Sequence, residues 1–95
     1  MAVKQEFARQ IEAQVQVWQA QIKEHQERMD QAGAEAKAGY DKALTQLRAN
    51  AEEGGKLLRQ VQDANEAAWK DMQKASSDSL ARLQQGWADA LRRFT

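Results

Sequence analysis

Residues 47–61 read Leu47-Arg48-Ala49-Asn50-Ala51-Glu52-Glu53-Gly54-Gly55-Lys56-Leu57-Leu58-Arg59-Gln60-Val61, and the fold turns on whether the two glycines end a helix or lie inside one. Two adjacent glycines within a helix cost about 2 kcal/mol relative to alanine. Glycine is also the preferred residue for the left-handed conformation that closes a helix. The stretch therefore predicts a turn at Gly54-Gly55, with helix one over about 2–53 and helix two over about 56–94, in a single all-helical domain across 1–95. Two alternatives compete with it. Glu52 and Lys56 are an i,i+4 pair, like Glu24/Arg28, Glu66/Lys70, Asp78/Arg82 and Asp89/Arg93. An unbroken rod would use that pair, for about 0.2–0.5 kcal/mol. A three-helix arrangement would break in the stretch of small residues from Ala32-Gly33-Ala34 to Gly39, which also fits close helix approach without a break.

Outward from this stretch, apolar residues recur at helical spacing. In the first half they are Val3, Phe7, Ile11, Trp18, Ile22 and Met29, with His25 on the same line and Gln14 as a polar interruption. The line continues through Gly33, Ala36, Tyr40, Leu44 and Leu47. In the second half it reads Leu58, Val61, Asn65, Trp69, Met72, Ser76, Leu80, Leu83, Trp87, Leu91 and Phe94. Positions eleven apart, from Val3 through His25, Leu47 and Trp69 to Leu91, share one phase. Eleven residues span three turns at about 3.67 residues per turn, so the pattern draws a nearly straight seam along amphipathic helices. Ala75-Ser76-Ser77-Asp78 keeps the seam in phase and reads as solvated helix.

The expected fold is all-α: long amphipathic helices in an antiparallel hairpin or coiled coil, oligomerising into a helix bundle. Folding at Gly54-Gly55 sets residues whose numbers sum to roughly 109 opposite one another. Tyr40 then faces Trp69, Ile22 faces Trp87 and Trp18 faces Leu91. Val3, Phe7 and Ile11 project beyond helix two and need cover from another chain. The self-association seam expected on this reading contains every large apolar residue of the line from Val3 to Phe94. The partner is a second copy, as a dimer or tetramer, or another coiled-coil protein.

Composition supports long helices and narrows the function. Proline and cysteine are absent, and Ala and Gln, both good helix formers, dominate. Fourteen basic residues balance fourteen acidic ones, for a formal net charge of zero. A nucleic-acid binder would carry a basic excess, so none is expected as partner. The absence of thiols fits a reducing cytoplasm. Met1-Ala-Val-Lys-Gln-Glu has no apolar signal region, and no run approaches the ~18 apolar residues of a membrane span. A cytoplasmic location is the expectation.

No constellation points to catalysis. His25 is the single histidine and lies on the seam, where hydrogen bonding to a facing polar group is the ordinary role. A metal site needs several converging ligands, and a di-metal bundle needs Glu-x-x-His motifs. Ser76, Ser77 and Ser79 lack a local base, and Glu52-Glu53 reads as solvated. No catalytic, cofactor-binding or metal residues are expected, and no cofactor. Trp18, Trp69, Trp87, Tyr40, Phe7 and Phe94 form an aromatic series that suits a bundle core. The same series on an open helix suits insertion into a lipid or granule surface, although the polar face here is balanced and Gln-rich rather than basic. Arg92-Arg93 sits at a helix C-terminus, where the macrodipole favours cations.

Three segments carry a resemblance. They are Ala36-Lys-Ala-Gly-Tyr40-Asp-Lys-Ala-Leu44-Thr-Gln-Leu47, Lys56-Leu-Leu-Arg-Gln-Val61 running on to Ala68-Trp69-Lys-Asp-Met72, and Gly86-Trp87-Ala-Asp-Ala-Leu91, with Trp18 as an early tryptophan. Together they are similar to a family of small bacterial coiled-coil proteins linked to stress response. Relatives of that kind carry a second Ala-Trp one repeat after the first, where this chain has Ser79-Leu80. The resemblance implies a helical, cytoplasmic, non-enzymatic protein. The eleven-residue amphipathic repeat also looks like apolipoprotein-type helices, and the Gln- and Ala-rich composition is similar to phasins. Function is accordingly expected to be structural or interactive, through self-association along the seam. The alternative is binding to lipid or storage-granule surfaces.

Overall fold

The computed structural model describes residues 2–94, with side chains from Lys4 to Arg93. Three α-helices follow one another: α1 (Ala2–Gln31), α2 (Ala34–Asp63) and α3 (Glu66–Leu91), closed by a 3-10 turn at Arg92–Phe94. The fold is all-α. The helices run up, down and up. Lys4 on α1 reaches the carbonyls of Gln62 and Ala64, and Arg48 on α2 donates to Gln26, so α1 and α2 are antiparallel. Asn50 on α2 donates to the Leu83 carbonyl on α3, while Phe7 meets Trp69 and Trp18 meets Trp87, which makes α3 parallel to α1. The bundle measures 52 × 18 × 16 Å.

The turn expected at Gly54-Gly55 is not there. Helix α2 runs through both glycines, and no residue among those described has a positive φ. Gly54 is buried against α1, and a Cβ built on it would stand 2.9 Å from Val15 Cγ2 and 3.1 Å from Trp18 Cζ3. Its missing side chain therefore admits the α1 core, and burial of Trp18 offsets the helix cost of the glycine. The chain turns instead at Ala32-Gly33 and at Ala64-Asn65. Gly33 is extended, with φ −70° and ψ 166°, and gives α2 no side-chain cap. Asn65, read above as a seam position, is the N-cap of α3: its side-chain oxygen accepts the Ala68 N–H at 2.8 Å. Glu35 and Glu66 lie in the first turns of α2 and α3, where the macrodipole favours anions.

Two breaks rather than one let a single chain close its seam on itself. The pairing that sums to 109 is replaced: Trp18 stacks on Trp87, with ring centroids 5.0 Å apart and planes inclined by 17°. Phe7 and Ile11 do not project. Phe7 packs on Trp69 at 5.5 Å, and Ile11 is fully buried. Of the seam residues, Ile11, Trp18, Leu44, Leu47, Val61, Trp69, Leu80 and Trp87 are buried, while Phe7, Ile22, Met29, Tyr40, Leu58, Met72, Leu83 and Leu91 are half-buried. Val3 and Phe94 lie outside the described side chains.

Helix α2 is the middle element and must be apolar on two sides. Its buried set is Ala43, Leu44, Leu47, Ala51, Gly54, Leu57 and Val61, which is wider than one seam. Leu57 is consequently buried where Leu58 was expected. Small residues let α2 approach its neighbours closely. At the α2–α3 crossing, Asn50 Nδ2 donates to the Leu83 carbonyl at 2.9 Å, and a Cβ on Gly86 would come within 3.0 Å of that amide nitrogen. The surface ion pairs are local. Arg28 reaches Glu24 at 3.0 Å, Lys56 reaches Glu53 at 3.4 Å and Arg92 reaches Asp89 at 3.2 Å, all exposed and each worth little.

Candidate interaction surface

Helices α1 and α3 meet through large side chains. The Trp18–Trp87 stack and the Phe7–Trp69 contact hold the two helices apart as well as together. Polar groups finish this interface. Trp87 Nε1–H donates to Gln21 Oε1 at 2.8 Å, and Gln84 Nε2 donates to Gln14 Oε1 at 3.2 Å. The indole N–H of Trp69 is buried without a hydrogen bond, a local cost set against the burial of its ring.

Because the indoles space the helices, a shallow groove runs outside them. It is lined by Gln10, Ala13, Gln14 and Val17 on α1 and by Leu80 and Gln84 on α3. None of these residues is charged, in a chain of which 29% of residues are Asp, Glu, Lys or Arg. Val17 is 50% exposed and stands out among the described residues as a large apolar side chain left open to solvent. Toward the start of α1 a separate hollow is lined by Phe7, Trp69, Gln73 and Ser77 together with the charged Lys74 and Asp78. The other inter-helix grooves are charged. The one between α2 and α3 carries Glu53, Lys56 and Arg82, and the one between α1 and α2 carries Arg48, Glu52 and Arg59.

The expected seam is thus largely interior, and the open surface lies beside it. Val17, Ala13 and Gln10 were not singled out in the sequence. Their signal is nonetheless legible: Gln10, Ala13, Gln14 and Val17 follow helical i, i+3, i+4, i+7 spacing without a charge.

His25 is half-buried on α1. Burial, and next to it the Arg28 guanidinium, hold its pKa below the ordinary 6.5, while Glu24 acts in the opposite direction. Between the depressed folded pKa and 6.5 the unfolded chain binds more protons, so stability is full above about pH 6.5 and falls as pH drops toward the folded value. Denaturant midpoints recorded from pH 7.5 downward should show this decline beginning below about pH 6.5. His25→Gln should remove that component. Among the described residues, no group of three or more His, Cys, Asp or Glu is placed to hold a metal ion, and no helix is long and apolar enough to cross a membrane. Ser76 is buried in α3, apart from His25 on α1.

Compared with protein-family models, curated proteins and solved structures, the chain matches none.

Proposed function

We propose that the protein is a non-enzymatic helical interaction protein that associates with a second copy of itself along the groove between α1 and α3. The observation that supports this reading is the charge-free lining of that groove around the exposed Val17. Charged residues are depleted at the centres of interfaces, and a groove between two parallel helices suits a helix laid into it. Glutamines supply hydrogen bonds at no cost in buried charge, and two copies bring no like charges together there.

Sedimentation equilibrium tests it with the double variant Ala13→Glu, Val17→Glu. Wild type should show mass rising with concentration, and the variant should associate markedly less, with unchanged helicity. A wild-type chain that stays monomeric to millimolar concentration, or a variant that associates equally well, defeats the reading.

A second reading is binding to a lipid or storage-granule surface. It is favoured by one observation: apolar spacing continues through both turns, from Met29 to Tyr40 and from Val61 to Trp69, so an opened chain would offer one apolar face. Vesicle flotation with a neutral and an anionic mixture separates the two. Protein floating with either mixture favours the surface, and protein left at the bottom as a helical species rejects it.

A further inference from the structure

The two turns of the bundle are built differently. At Ala64-Asn65 the Asn65 side chain caps α3, so the break is written into a specific hydrogen bond. At Ala32-Gly33 there is no side-chain cap and no left-handed residue, only an extended glycine with φ −70° and ψ 166°. A Cβ on Gly33 would meet nothing within 4 Å. The turn is therefore neither locked by a cap nor required by packing around the glycine.

Spacing across this turn is that of an unbroken helix. Ile22, His25, Met29, Gly33, Ala36, Tyr40, Leu44 and Leu47 follow one another by three or four residues without a slip. Two helices joined by a turn need no common phase, whereas one continuous helix does. The residues nearest the turn are also incompletely covered in the closed chain: Gly33 and Ala36 are exposed, and Met29 and Tyr40 are half-buried.

We propose that the protein also dimerises by exchanging α1. Residues 32–33 become helical, α1 and α2 join into one helix over 2–63, about 93 Å long at 1.5 Å per residue, and each α1 packs on α2 and α3 of the second copy. Every α1 contact of the closed chain is remade between copies, so the established interface supplies the occupant. In the antiparallel register of Lys4 with Gln62 and Gln26 with Arg48, the two long helices cross near Gly33 and Ala36, small residues that permit close approach. This inference concerns the turn and does not rest on the α1–α3 groove, which is rebuilt between α1 of one copy and α3 of the other.

The chain has no cysteine, so single cysteines report the exchange. Chains carrying Gln26→Cys and chains carrying Arg48→Cys are refolded together and treated with a short bismaleimide, since the two side chains meet in the bundle. The expected result is a linked heterodimer in the dimer fraction. Gly33→Ala fits the closed chain and favours helix at the turn, so it should raise the dimer association constant roughly tenfold. Inserting Gly-Asn-Gly after Gly33 should abolish the 26–48 link between chains. Dimers without the 26–48 link between chains overturn exchange and leave the groove reading standing. A monomer for wild type and Gly33→Ala alike, up to millimolar concentration, overturns both. A linked dimer formed by the Ala13→Glu, Val17→Glu variant supports exchange, and it counts against the groove if the variant matches wild type in mass at every concentration.

Discussion

Trp18→Ala should destabilise the protein by about 3–5 kcal/mol, the range for truncating a fully buried tryptophan. Trp18 is only 1% exposed and sits where all three helices converge. Its ring stacks on Trp87 of α3 at 5.0 Å, and its edge lies over Gly54 of α2. Glycine has no side chain with which to refill the space, so relaxation around the cavity is limited. Removing the indole also strips one face of Trp87, whose N–H depends on Gln21 for its hydrogen bond. Domains of this size are stable by about 5–15 kcal/mol in total, so the variant should be partly unfolded at 25 °C or lose much of its melting temperature. Val17→Ala, one residue away but half exposed, should move stability by no more than about 0.5 kcal/mol. Denaturant titration followed by circular dichroism measures both. Equal effects at the two positions would contradict the placement of Trp18 at the convergence of the helices.

The second large effect is a difference of sign between adjacent glycines. Gly55→Ala meets nothing within 4 Å and replaces a poor helix former by the best one, so it should stabilise by about 0.5–1 kcal/mol. Gly54→Ala gains the same propensity but drives a methyl to 2.9 Å from Val15 Cγ2. Val15 is β-branched, buried and stiff about χ1, so it cannot swing aside as a long side chain would. Overpacking of this kind costs about 1–3 kcal/mol, and Gly54→Ala should come out net destabilising. Larger residues at 54, such as valine, should prevent α1 from docking. Thermal melts of the two alanine variants decide the matter. A turn at this place would make both substitutions destabilising, whereas the continuous helix predicts opposite signs.

That contrast shows what was legible in the sequence. Helical spacing of large apolar residues identified an all-α protein, and eight of the seam positions, Ile11 and Trp18 among them, are buried. Spacing reports which face of a helix is apolar, but it does not report where the chain reverses when the phase runs unchanged through the reversal. Asn65 lies on the seam line and was hidden by that regularity, whereas a break at Ala32-Gly33-Ala34 stands in the sequence only as an alternative because the phase runs through it. Gly54-Gly55 misled for the opposite reason. A glycine that ends a helix and a glycine that admits a neighbouring tryptophan look alike until the neighbour is placed. Leu57 escaped because a middle helix has two neighbours and one seam describes only one of them. The groove beside Val17 was readable as a charge-free stripe, but only after the seam had been assigned to the interior.

The Asn50 amide has a mechanical consequence. Helices that pack through smooth aliphatic ridges can shear past one another in small steps under load or thermal agitation. Here the Asn50 side chain is seated over Gly86 and bonded to the Leu83 carbonyl, which makes it a detent between α2 and α3. Sliding α3 by one turn, about 5.4 Å, would bring Arg82 or Ala90 into the place of Gly86, where a Cβ stands 3.0 Å from the amide nitrogen and the amide must shift to admit it. Intermediate displacements would break its hydrogen bond in a half-buried position, at about 1–3 kcal/mol. The pair α2–α3 should therefore behave as a latched rail with a single stop.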